Sequence, residues 1–344
     1  MKAIKTSSSR LWISAAIIGI IFVLGGIGNL YQSISAQQDL VAHPPTGELF
    51  DVGGYRLHLY CIGQGSPTVI LIHGLGGNIY HWALIQPDIA KTTRVCAYDR
   101  AGYAWSDIGP RPRSPLQNAR ELYILLEKAG IQGSLILVGH SWGTNGVQVY
   151  AEEYPENVQG IILVDGGIAV EAVKQCPTLN CMPSVAKSGT DLFLTLQPVL
   201  FRLGLLRLFD FPQPYGDNLK YLSSEQRAAL LAGYGQTQGA DTNLAEWQDW
   251  DNNVGQVGQV GSLQDIPVRV FMADESFPDW VYGGEAEKWH GYEQLLLTEL
   301  SRLSTNSQVT VIPNSDHASM LFDQTQWQFV VASVQELVNL SRSQ

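Results

Sequence analysis

The chain has 344 residues, 45% hydrophobic and 15% charged, with a formal net charge of −11. That length suits one large α/β domain carrying an insertion, and the composition excludes an intrinsically disordered chain. The acidic balance argues against a nucleic-acid partner, because a negative surface repels the phosphate backbone.

The first predicted element is apolar. Residues 11–31 carry no charge. As a helix they would be about 30 Å long, enough to cross a bilayer. Lys2, Lys5 and Arg10 precede the run, and the next basic residue is Arg56. The positive-inside bias then puts residues 1–10 in the cytoplasm and the rest of the chain across the membrane. A cleaved signal peptide is the competing reading, with small residues at Ser33, Ser35 and Ala36. The apolar run exceeds the usual signal core of about 7–15 residues, which favours an uncleaved anchor. Residues 32–46 are polar, end near Pro44 and Pro45, and read as a linker.

Two short runs separated by Gly53 and Gly54 predict a hairpin. "PTVILIHG" reads as a buried strand, "HWALIQPDIA" as helical, and "TRVCAYDRAG" as a strand and turn. "PLQNARELYILLEKAG" has helical spacing and ends at Gly130. "SLILVGHSWG" is a strand, "TNGVQVYAEEY" a helix, and "VQGIILVDGG" a further strand. This alternation over residues 68–167 implies a parallel sheet covered by helices on both faces. It resumes with the strand "IPVRVFMAD", a helix, and the strand in "SQVTVIPNSDH". A last amphipathic helix places Trp327, Val330, Val331, Val334, Leu337 and Val338 on one face. The core is thus expected at 47–167 and 263–344. Residues 168–262 lack the βα alternation and read as a helical cap.

One pentapeptide, Gly139-His140-Ser141-Trp142-Gly143, stands where a strand meets a helix. With 34 glycines a chance match is unremarkable, so position carries the argument. A nucleophile at a sharp strand-to-helix turn needs small neighbours, and the turn aims backbone N–H groups at its side chain. Independently, "HGLGG", residues 73–77, follows an earlier buried strand. Its glycines let the backbone approach a developing oxyanion. The expected oxyanion donors are the N–H groups of Leu75 and Trp142. No Cys-x-x-Cys pair or histidine cluster at ligand spacing occurs, so no metal site is expected, and acyl transfer by a serine needs no cofactor. Cys176 and Cys181, in "QCPTLNC", could close a small disulfide loop.

In order, "HGLGG", "YDRAGYAWSD", "GHSWG", "YPENVQGIILVDG" and "SDHASM" resemble the α/β-hydrolase superfamily, over about residues 47–340. The similarity is closest to its bacterial esterase, haloperoxidase and aminopeptidase-like branch. Ala104 stands where that family often has glycine, and Thr144 where a third glycine is common. The resemblance implies an α/β fold with a mostly parallel eight-stranded sheet and a helical cap. It implies His317, in the loop after the last strand, as general base. It also implies that the second strand lies beside the fourth, which would bring Cys61 to Cys96 as a disulfide. The acid stays open. Most of the superfamily places it after the seventh strand, where Asp274 and Asp279 are out of register. A minority take it from the end of the sixth strand, here Asp165.

The expected activity is hydrolysis of small or lipophilic carboxylic esters through a Ser–His–Asp triad. Serine at the elbow argues against the epoxide hydrolases and haloalkane dehalogenases, which place aspartate there. The Leu/Phe-rich segment 191–211 could line an acyl pocket, meet the bilayer surface, or simply pack the cap. Arg202, Arg207, Pro198 and Gly204 interrupt it too often for a second span. A proline-iminopeptidase-like activity would need an acidic cap site, for which Glu246, Asp249 and Asp251 are available. A catalytically silent binding protein of this fold is the remaining alternative.

Overall fold

The computed structural model describes residues 7–168, 170, 184–209, 215–275 and 286–343. Eight strands form one sheet: β1 Glu48–Asp51, β2 Arg56–Ile62, β3 Thr68–Ile72, β4 Val95–Tyr98, β5 Leu135–His140, β6 Val158–Val164, β7 Val268–Ala273 and β8 Ser307–Ile312. Their spatial order is β1-β2-β4-β3-β5-β6-β7-β8. β1 and β2 form the expected antiparallel hairpin, and β2 also runs antiparallel to β4. Every pairing from β4 to β8 is parallel.

All residues of β3, β4, β5 and β7 are buried, which is why these strands are unbroken apolar runs. Alternate side chains nevertheless feed two separate cores. Ile70, Ile72, Leu137 and Ile161 pack on one face with helices α2 (Pro115–Lys128) and α3 (Gly143–Glu153). Val69, Leu71, Ile136, Val138 and Ile162 pack on the other, beneath the chain-terminal helix. Trp327, Val330, Val331, Val334, Leu337 and Val338 of that helix are buried there, as their spacing predicts. The N-terminus of α2 is capped by Ser114, whose side chain accepts from the Gln117 N–H, with Pro115 in the first turn.

The sheet order places Cys61 directly opposite Cys96 on β2 and β4, and they form a disulfide. Their Cα atoms are 4.0 Å apart across the antiparallel pairing. Cys176 and Cys181 lie outside the described residues. Ala104 has φ +42°, so the position where glycine is usual does demand a left-handed backbone.

Between β6 and β7 the described chain is helical: α4 Ser184–Arg202, a short turn Leu205–Leu208, α5 Ser224–Tyr234, α6 Thr237–Gln248 and α7 Trp250–Val257. Two more helices, α8 Ala286–Leu300 and α9 Gln324–Arg342, complete the core.

The N-terminal region departs from expectation. Residues 32–46 were to be a linker, yet α1 runs from Ser7 to Ala42 without a break. The reason is long-range pairing. Gln32 donates to the Gly235 carbonyl at 2.8 Å, Asp39 pairs with Arg207 at 2.7 Å, and Gln236 donates to the Ala36 carbonyl at 3.2 Å. The polar residues that suggest a solvated tether are the side of a helix seated on the cap.

Candidate active site

Ser141 sits between β5 and α3 with φ +52°, the strained conformation of a sharp strand-to-helix turn. Its N–H donates to the Val164 carbonyl at 2.9 Å, tying the turn to the end of β6. The crowding explains two glycines. A Cβ on Gly143 would lie 2.5 Å from the Ile72 carbonyl oxygen, and one on Gly166 would lie 2.3 Å from that of Ser141.

The loop after β8 brings His317 over this turn. Its Nε2 lies 2.9 Å from Ser141 Oγ, and its Nδ1 lies 2.5 Å from Asp165 Oδ2. Nδ1 therefore donates to the carboxylate, leaving Nε2 as the acceptor for the serine hydroxyl. Asp165 extends from the end of β6, also at positive φ (+42°). Its other oxygen accepts the Ala273 N–H at 2.8 Å. Burial pushes this carboxyl upward, but the His317 hydrogen bond, the nearby imidazole charge and the Ala273 N–H together hold it below the ordinary aspartate value.

Of the candidate acids, Asp165 is thus the one brought to His317. Asp274 has a different place. Its carboxylate accepts the N–H groups of Asn314 (2.7 Å) and Ser315 (2.8 Å), and its own N–H donates to Ser315 Oγ at 3.3 Å. It clamps the backbone three residues before His317. Asp279 lies outside the described residues.

Leu75 lies in the turn after β3, and Trp142 opens α3. Among the described residues neither N–H donates to a backbone carbonyl. Gly74, beside Leu75, lies so near the serine that a Cβ there would approach Ser141 Cβ to 2.8 Å and Oγ to 3.3 Å. Both amides therefore belong to segments that converge on Ser141.

Three further histidines surround the turn. His140 Nε2 lies 3.1 Å from the His317 carbonyl, and the two rings are 4.5 Å apart. His73 Nδ1 donates to the Gly74 carbonyl at 2.8 Å, while its Nε2 accepts the Arg100 N–H at 3.2 Å. His81 packs edge-on against Tyr215 of the cap. All three are buried. Desolvation holds His73 and His140 well below the ordinary imidazole value and His81 down to about 3, so they are neutral near pH 7. The contact of His140 with the backbone of His317 joins residues 177 positions apart, and no local pattern signals it.

The cap closes over one side through an ion pair. Arg100 meets Glu246 of α6, both fully sealed from solvent, and Arg100 also donates to the Gly74 carbonyl at 2.9 Å. Tyr103 donates to the second Glu246 oxygen at 2.8 Å. Trp142, Trp250 and Trp247 form an aromatic series, with successive ring centres 5.7 and 5.6 Å apart. Among the described residues no group of three or more His, Cys, Asp or Glu side chains is placed to hold a metal ion.

Sheet order, elbow and cap insertion together define an α/β-hydrolase fold, and residues 67–188 match the family described as alpha/beta hydrolase fold. A 153-residue stretch is 33% identical to an uncharacterized protein of Mycobacterium tuberculosis, covering 44% of either chain. Another, of 121 residues, is 33% identical to a 2-hydroxy-6-oxononadienedioate/2-hydroxy-6-oxononatrienedioate hydrolase of Paraburkholderia xenovorans, covering 33% of this chain and 41% of that one. The matches thus span less than half of these curated relatives. Among solved structures, an epoxide hydrolase of Bacillus megaterium superposes with a TM-score of 0.60 at 19% identity, over 85% of this chain and 100% of the other. A thermophilic esterase of Thermogutta terrifontis gives 0.54 at 18%, over 85% and 97%. At such identities the superpositions speak for the fold alone.

Proposed function

We propose that the protein is a membrane-anchored serine hydrolase that cleaves carboxylic esters through an acyl-enzyme. The observation that carries this reading is the continuous Ser141–His317–Asp165 hydrogen-bond chain, at 2.9 and 2.5 Å. In this mechanism Ser141 Oγ attacks the ester carbonyl while His317 Nε2 takes its proton. Asp165 holds the Nδ1–H tautomer and stabilises the imidazolium that forms. The N–H groups of Leu75 and Trp142 receive the oxyanion. His317 then returns the proton to the departing alkoxide, and water repeats the sequence to release the acid. No cofactor takes part.

The superfamily relatives include hydrolases of several substrates, and serine at the elbow selects among their chemistries. An epoxide hydrolase of this fold opens its substrate with an elbow carboxylate, which this chain lacks. The proline-iminopeptidase-like alternative is weakened because Glu246 is committed to Arg100 and Tyr103. A catalytically silent binding protein would have no need for the aligned hydroxyl–imidazole–carboxylate series.

Anchoring rests on α1, whose most apolar 18-residue window, within Trp12–Ala42, has a mean hydropathy of 2.2 and no buried residue. The orientation follows the basic residues before it, with the hydrolase core outside the cytoplasm. A fluorophosphonate probe tests the chemistry. Wild type is expected to label and Ser141→Ala to remain unlabelled. Equal labelling of both, or none of wild type, sinks the reading. A panel of esters of graded acyl length then separates small from lipophilic substrates.

A further inference from the structure

We infer that the cap forms a second contact with the bilayer, through an apolar stripe on α4 continuous with the α1 anchor. The inference rests on the proposed anchoring and specifies the source of substrate: amphiphilic esters resident in the outer boundary of the membrane.

The stripe is set by helical spacing. Leu192, Leu196 and Val199 are exposed, whereas Leu194, Gln197 and Phe201 of the same helix are buried. Positions 192, 196, 199 and 203 fall within about 60° of one another around a helix. Leu203 directly follows this helix and continues its hydrogen-bond pattern, its N–H donating to the Val199 carbonyl at 2.9 Å. At Leu203 the stripe reaches α1. A Cβ on Gly28 would lie 2.2 Å from the Leu203 carbonyl oxygen, and one on Gly25 would lie 3.4 Å from Leu203 Cδ2. Gly204 packs in the same way on Tyr31. Beyond this junction, Leu208 and Phe209 are 64% and 71% exposed.

The position of that junction along α1 is decisive. Gly25, Gly28 and Tyr31 lie inside the apolar run 11–31, not after it. Gly25 is six residues short of Tyr31, about 9 Å along the helix. If residues 11–31 cross the hydrocarbon, whatever packs on Gly25 and Gly28 lies at the depth of the headgroup and acyl boundary. Interfacial helices bury their apolar faces about 5–10 Å into that zone. The neighbouring charges do not oppose this. Arg202 is paired with Asp241 at 2.6 Å, Arg207 with Asp39 at 2.7 Å, and Asp191 accepts the Trp247 indole N–H at 2.6 Å.

The test uses the full chain reconstituted in phosphatidylcholine vesicles, with a genetically encoded fluorescent residue at Phe22, Leu196, Phe209 or Val311. Lipids bearing a nitroxide high on the acyl chain quench fluorophores at the boundary; lipids labelled near the chain end quench those in the interior. Shallow quenching at 196 and 209, several-fold above that at Val311 on β8, is the expected result. Deep quenching at Phe22 without quenching at 196 and 209 overturns the inference and leaves the anchor standing. An unquenched Phe22 removes the anchor and the inference with it. Labels shielded from aqueous iodide but untouched by either lipid, with a doubled mass in detergent, would assign the stripe to a second copy of the chain. As a functional arm, Phe209→Asp should slow hydrolysis of a vesicle-borne ester roughly ten-fold, from the lost burial of one large apolar side chain. It should leave a water-soluble short-chain ester unaffected. Equal slowing of both would show that Phe209 serves the cap's packing and would overturn the inference. If neither ester is cleaved, the hydrolase reading fails, while the quenching result still decides the membrane contact.

Discussion

The ends of β6 and β7 lie side by side, and each presents an aspartate toward the loop that carries His317. Asp165, at positive φ and buried, takes the imidazole N–H. Asp274 takes two backbone N–H groups of the same loop. One carboxylate orients a ring and the other holds the segment that bears it. Nearness to one imidazole is therefore not one role. A carboxylate that orients the ring and a carboxylate that fixes its loop stand on adjacent strands.

Neutralising each aspartate in turn tests this division of roles. Asp165→Asn should lower kcat by about 10⁴, because the amide favours the wrong imidazole tautomer. Steady-state hydrolysis of an ester, or the rate of fluorophosphonate labelling, reads this directly. Asp274→Ala should cost at most about 10² in kcat, through a misplaced ring. It should also destabilise by about 1–3 kcal/mol through its lost charge-assisted bonds, measured by urea unfolding. A larger kinetic loss at Asp274 than at Asp165 would reverse the assignment. The double variant should be little slower than Asp165→Asn alone, since both act through one imidazole. Multiplication of the two losses would mean that Asp274 acts on the substrate by a separate route.

The same contrast extends to the imidazoles. His317 is partly open to the site, whereas His73, His81 and His140 are sealed and neutral. Their folded values lie below the ordinary 6.5, so the unfolded chain binds more protons in acid. Stability should therefore be full above about pH 6.5 and fall as pH drops below it, by up to about 1.4 kcal/mol per pH unit for each such group. For His81 the window extends down to about 3. Urea midpoints at pH 7 and pH 5 check the slope, and His81→Phe should reduce it by one proton. An unchanged slope would mean that His81 is not protonated on unfolding in this range.

Much of this was legible in the chain, and the failures have physical causes. Strands such as Thr68–Ile72 are unbroken apolar runs because both faces are covered, so their existence and order could be read locally. The places of Ser141 and His317 were legible because each stands beside a recognisable strand end. Which carboxylate meets His317 was not. Which of two neighbouring strand ends reaches His317 depends on the fold of the β8 loop and on the left-handed turn at Asp165, and residue identities leave both open. The supposed linker failed for a related reason. Gln32 and Asp39 have partners at Gly235 and Arg207, far along the chain, and polarity alone does not distinguish water from such partners.

The buried Arg100–Glu246 pair has a consequence for how this protein can be remodelled. One guanidinium joins the helical segment between β6 and β7 to the turn beside Ser141, through Glu246 and the Gly74 carbonyl. The socket that the cap fills is therefore charged. A grafted cap must bring its own carboxylate to Arg100, or the graft leaves a sealed, unpaired cation, a fault that typically costs about 3–5 kcal/mol. Modularity in this chain is conditional: the replacement part must carry the matching charge.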